Sequence, residues 1–133
     1  MLDADYVIST HDAILAEFGG LEGFAGAGEG GVVAALGRVE NHAYYNGLDD
    51  VFGIAAMYAI AIACGHVFND GNKRTGLTCA LTYLEREGFE IPKTPDLEEA
   101  MVKVAEKEID HETLAAYFST LWVNTIELPN AQD

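Results

Sequence analysis

Basic residues are scarce in this chain. Its 133 residues include 7 Lys and Arg against 22 Asp and Glu, a formal charge of −15. That balance argues against a nucleic-acid binder, because phosphate backbones are met by basic patches. It argues equally against attachment to an anionic membrane. A basic protein partner is compatible with the charge but not required by it. Cysteine is scarce too. Cys64 and Cys79 both fall in apolar runs and read as buried small hydrophobes in a reducing compartment. They lack metal-ligand spacing, and His66 with Asp70 is too small a donor set for zinc. No apolar run reaches the about 18 residues of a membrane span, since Gly65-His66 interrupts the longest one. No basic segment followed by an apolar one opens the chain, so a cytoplasmic location is expected. Repeats, low-complexity tracts and domain linkers are missing as well.

What is present is a helical pattern. Half of the residues are apolar, and a chain of this length buries roughly two-thirds of its unfolded surface, enough for one core. Helix 1 is expected over 3–18, with Asp3 as N-cap, an apolar face of Tyr6, Val7, Ile14, Leu15 and Phe18, and Gly19-Gly20 as its stop. His11 and Asp12 are adjacent and point in different directions, so they read as a polar anchor for the loop that follows. Residues 19–31 form a glycine-dense loop. Helix 2 is expected from Glu29 to Tyr44 with Val32, Val33, Leu36 and Val39 inward and Arg38 paired to a carboxylate. Asn46-Gly47, flanked by Tyr45 and Leu48, carries the strongest short hairpin signal. Helix 3, from Asp49 to Gly65, is apolar nearly all round, as a central helix is. Helices 4, 5 and 6 are expected over 72–87, 95–106 and 111–122. The chain therefore reads as all-α: a single compact domain of about six helices over 1–123, then a C-terminal tail over 124–133.

The segment His66-Val67-Phe68-Asn69-Asp70-Gly71-Asn72-Lys73-Arg74 lies between the third and fourth helices. Asn72 stands where an N-cap would stand. Free amides at a helix start, together with the macrodipole, make an anion site, and Gly71 would let a phosphate approach the backbone. Lys73 and Arg74 put cations in the first turn, against the dipole, a local conflict that a bound polyphosphate would remove. Taken singly, a histidine at a helix end is a cap and Asn-Asp-Gly is a turn. Together they supply a base in His66, magnesium coordination at Asp70 beside phosphates, and phosphate donors in Gly71, Asn72, Lys73 and Arg74. An imidazole can take a hydroxyl proton near neutral pH. Phe68 reads as the buried anchor of the loop. Cys64 as a nucleophile has nothing beyond nearby His66 to activate it.

This stretch resembles the signature of the Fic/Doc superfamily, His-x-Phe-x-Asp/Glu-Gly-Asn-Gly-Arg-x-x-Arg. His66, Phe68, Asp70, Gly71, Asn72 and Arg74 match. Lys73 replaces the second glycine and Leu77 the last arginine, and both departures resemble the Doc (death-on-curing) branch. His11-Asp12, Gly19-Gly20-Leu21 with Gly23, and Gly37-Arg38-Val39 are similar to that branch too. The resemblance implies a Fic/Doc helical domain with a short flap before the central helix, here Tyr45, Asn46 and Gly47, positioning a target segment. It implies ATP as donor. Fic proteins transfer AMP to protein hydroxyls. Doc toxins phosphorylate a threonine of elongation factor Tu and block translation. An AMP transferase and a non-catalytic binding module are the alternatives. Many Fic proteins silence themselves with a helix bearing Ser/Thr-x-x-x-Glu-Gly/Asn. The nearest match, Thr94-Pro95-Asp96-Leu97-Glu98-Glu99, ends in glutamate, and the receiving arginine is replaced by Leu77. Inhibition is therefore expected in trans, from an antitoxin whose C-terminal segment is disordered alone and folds as a helix in a groove of this domain.

Overall fold

The computed structural model describes the backbone of residues 1–131 and the side chains of residues 1–126. Six helices follow in order: α1 Ala4–Phe18, α2 Glu29–Asn46, α3 Val51–Ala63, α4 Asn72–Arg86, α5 Pro95–Ala105 and α6 His111–Ala131. No strand occurs among the described residues; Phe24 and Phe68 form one isolated antiparallel bridge.

α3 is the axis of the domain. Its Ile54, Ala55, Ala56, Tyr58 and Ala59 are fully buried, which is what a helix without a polar face must achieve. Small residues let its neighbours come close. A Cβ on Gly76 of α4 would stand 2.8 Å from the Ala59 carbonyl oxygen, so the two helices touch backbone to backbone there. α3 packs most extensively on α4, then on α2 and α6. α5 and α6 close the far side with Leu97, Met101, Leu114 and Phe118.

Side chains cap three helix starts, among them that of α6, where Asp110 accepts from the Thr113 N–H at 2.8 Å. Asp3 accepts from the Tyr6 N–H at 2.8 Å and Thr94 from the Leu97 N–H at 3.3 Å. Two expectations are corrected. Tyr45 and Asn46 are the last residues of α2, and Gly47 follows as its C-cap with φ +95. The Asn-Gly pair is thus a helix stop rather than a hairpin turn, because an apolar face continues along α2 to Ala43. The last helix is longer than expected: no glycine follows Trp122, and α6 runs on past residue 122 through Ala131. Residues 132–133 of the expected tail lie outside the described residues.

Candidate active site

The site is the short connection between α3 and α4. α3 ends at Ala63, and His66 follows with φ +48. Left-handed backbone at a non-glycine residue stores about 1–3 kcal/mol, and such strain collects at functional sites. The imidazole of His66 is exposed, and no described residue pairs with it. Phe68 is buried, as expected of the loop anchor. Its ring lies parallel to that of His11 with centroids 3.7 Å apart, and Phe24 stacks against it at 5.8 Å.

Asn72 does not cap α4. Gly71 takes the N-cap position with φ +77. The Asn72 side chain instead clamps the backbone of Phe68: its Oδ1 accepts from the Phe68 N–H and its Nδ2 donates to the Phe68 carbonyl, both at 2.9 Å. The Gly71 N–H is also engaged, donating to Asp70 Oδ1 at 3.0 Å. A Cβ on Gly71 would meet Leu15 and His11 of α1, so this glycine serves packing toward α1 rather than approach of a ligand. Neither the Asn72 side chain nor the Gly71 amide is therefore free for an anion. The N–H groups of Asn72, Lys73 and Arg74 are; none has an acceptor among the described residues. Three orphan donors at a helix start form an anion site. The Arg74 guanidinium lies 4.2 Å above the Phe18 ring, which aims it.

Asp70 is held on three sides. His11 Nε2 donates to its carbonyl at 2.8 Å, the Gly71 N–H to Oδ1, and the Leu21 N–H to Oδ2 at 3.3 Å. Its side chain remains exposed, and each oxygen keeps a second lone pair. One such carboxylate beside phosphate donors is the set that magnesium uses, so the residues fit that ion.

Residues 18–25 wrap the whole loop. The Ala25 N–H donates to the Val67 carbonyl at 3.0 Å, the Asn69 N–H to the Gly23 carbonyl at 3.1 Å, and Asn69 Nδ2 to the Glu22 carbonyl at 2.9 Å. The sequence marked this stretch only as glycine-dense. Its density of glycines was the available signal, because a second backbone passes close by.

A cleft of about 190 Å³ opens beside the start of α4. Asp70, Lys73 and Arg74 form one wall, and Glu98, Met101 and Val102 of α5 the other. It is smaller than the about 300–1,000 Å³ typical of a whole ligand. Glu98 was not anticipated as a cleft residue.

Other expectations change. Arg38 pairs with no carboxylate among the described residues; its Nη2 donates to the Ala61 carbonyl at 3.3 Å, near the end of α3. Cys64 Sγ donates to the Val104 carbonyl at 3.4 Å, and burial pushes its thiol up, which disfavours a thiolate nucleophile. Tyr45, Asn46 and Gly47 lie at the opposite end of α3 from His66. The 13 residues of α3 put about 20 Å between them at about 1.5 Å per residue. They cannot form a flap over the loop, and Gly23–Ala25 occupies the position beside it.

Fold and site together define a class: an all-α domain with an imidazole and a carboxylate in the connection between its two central helices and three free amides at the start of the second. The model of the Fic/DOC family matches residues 1–84, and the chain belongs to that family. It is 37% identical over 114 residues, 86% of this chain and 89% of the relative, to a protein of Escherichia phage P1 named protein kinase doc.

Proposed function

We propose that this protein transfers the terminal phosphate of ATP to a hydroxyl of a protein target. The observation that carries the reading is the gathering of an exposed imidazole, a carboxylate, two cations and three orphan amides into one connection. Transfer needs an acceptor hydroxyl, a base and neutralisation of phosphate charge. His66 takes the hydroxyl proton. The freed oxygen bonds to the terminal phosphorus, and the bond from that phosphorus to the bridging oxygen breaks, with the electron pair leaving on ADP. Lys73, Arg74 and the amides of Asn72, Lys73 and Arg74 hold the phosphates. Gly71 and the Asn72 side chain act one step back, by shaping the loop. Asp70 would hold magnesium, which when bound neutralises charge on the phosphate oxygens.

The likeness to a relative named a kinase supports phosphate rather than AMP as the group moved. In this reading the protein is the toxin of a toxin–antitoxin pair, acting in the cytoplasm on a threonine of elongation factor Tu. Its control comes in trans, from an antitoxin segment that folds on binding. Leu77 at the cleft, where a self-silencing Fic helix would need an arginine, supports an external inhibitor.

Labelled ATP, magnesium and a cell lysate test the reading. The wild-type chain should label one protein band, and its mass should rise by a phosphate rather than by the much heavier AMP. His66→Ala should lose the labelling and any growth arrest while still binding ATP. Labelling retained by that variant removes His66 as base, and an AMP-sized increment overturns the kinase reading.

A further inference from the structure

We propose that Glu98 makes nucleotide binding in the cleft conditional on a divalent cation. This rests on the reading that the cleft takes a nucleoside triphosphate.

α5 turns one stripe toward the start of α4. Glu98 and Val102, four residues apart and so on one face, both line the cleft opposite Lys73 and Arg74. The stripe continues to Glu106, the C-cap of α5. The cations of the loop thus face an acidic wall. They are not consumed by it. No Lys or Arg among the described residues lies within ion-pairing distance of a carboxylate. Glu98 is exposed, with no hydrogen-bond partner among the described residues.

The sign of its effect depends on what enters. A bare triphosphate brings several negative charges into a cleft that already holds Asp70 and Glu98. Repulsion from Glu98, summed over the phosphates near a protein surface, should weaken binding about tenfold. A divalent cation on the phosphates brings positive charge to the same place and offsets that repulsion. Glu98 couples the two ligands in this way without having to coordinate the ion.

Glu99 supplies the control. It is the next residue, also exposed, but lines a separate groove with Lys103, Thr113 and Tyr117. Glu98→Gln and Glu99→Gln change the net charge identically, and neither removes a packed group. Calorimetric titration with ATP, in EDTA and in magnesium, reads the difference. Glu98→Gln should bind metal-free ATP about tenfold tighter than wild type, while Glu99→Gln stays within about twofold. With magnesium, Glu98→Gln should gain nothing, so the enhancement by metal shrinks about tenfold. If Glu98→Gln matches Glu99→Gln in both buffers, or weakens metal-free binding, the role of Glu98 is refuted while the nucleotide reading stands. If wild type binds ATP in neither buffer, the nucleotide reading falls and the inference with it.

Discussion

His11 lies beneath the His66 loop, 1% exposed, with its ring stacked on Phe68 and its Nε2–H bonded to the Asp70 carbonyl. That bond fixes the proton on Nε2. Nδ1 faces the Asp12 carboxylate at 3.5 Å. The sequence placed His11 on α1 as a polar anchor for the loop after it; its partners are instead 57 and 59 residues away along the chain (Phe68 and Asp70). No helical period encodes such a pairing. Two substitutions separate its contributions. His11→Phe keeps a ring on Phe68 and removes the donor, leaving the Asp70 carbonyl unpaired at a cost of about 1–3 kcal/mol. His11→Ala removes the ring as well and should cost about 3–5 kcal/mol in all. Urea unfolding measures both. Equal losses would show that the stack on Phe68 contributes nothing, and losses below about 0.5 kcal/mol would show that His11 does not anchor the loop.

At the scale of elements, periodicity and stop signals read well where each helix is judged by its own residues. The six helices, the charge-free α3 and the Gly19-Gly20 stop were legible for that reason. The Asn46-Gly47 pair was misread because a hairpin and a helix C-cap use the same chemistry, a glycine with positive φ. Only the packing of α2 decides between them. The strap over 18–25 was illegible for a different reason: its partners are backbone groups of a distant loop, and backbone groups leave no residue-type signature. Gly20 is where that strap comes closest. Its φ is +126, and a Cβ there would stand 2.8 Å from Asp70 Oδ2. Gly19 has φ +79 but open space around it. Gly19→Ala should therefore carry backbone strain alone, about 1–3 kcal/mol of stability. Gly20→Ala should carry similar strain and also displace the Asp70 carboxylate. The magnesium concentration giving half-maximal transfer should rise several-fold in Gly20→Ala and stay near wild type in Gly19→Ala. Identical magnesium curves for the two variants would remove the strap from the control of Asp70.

Over the whole molecule the charge is lopsided in a useful way. Of 7 cations in the chain, Lys73 and Arg74 line the cleft, while Arg38 donates to the Ala61 carbonyl near the end of α3. In a field of net negative charge these cations are the local attraction for anions, set against Asp70 and Glu98 across the same cleft. The same compact core sets the alkaline limit of the fold. Burial pushes the Tyr83 phenol from its usual value up to about 12, with smaller pushes from Glu87, Tyr58 and Asp50. Burial also raises Tyr58, whose ring centroid is 5.4 Å from that of Tyr83, and raises the Cys79 thiol to about 12. For each group the folded state holds its proton more tightly than the unfolded chain does. Their contribution is complete below the unfolded values. Above them the unfolded chain releases protons that the folded protein keeps, and stability falls as pH climbs toward the folded values. For Tyr83 that window runs from 10 to about 12. Its hydroxyl has no hydrogen-bond partner among the described residues, so Tyr83→Phe should change stability little at about pH 8. At about pH 11 the variant should lose less of its urea midpoint than wild type does, because one of the buried groups no longer titrates. Parallel losses in the two proteins would take Tyr83 out of the alkaline sensitivity and leave it to the other buried groups.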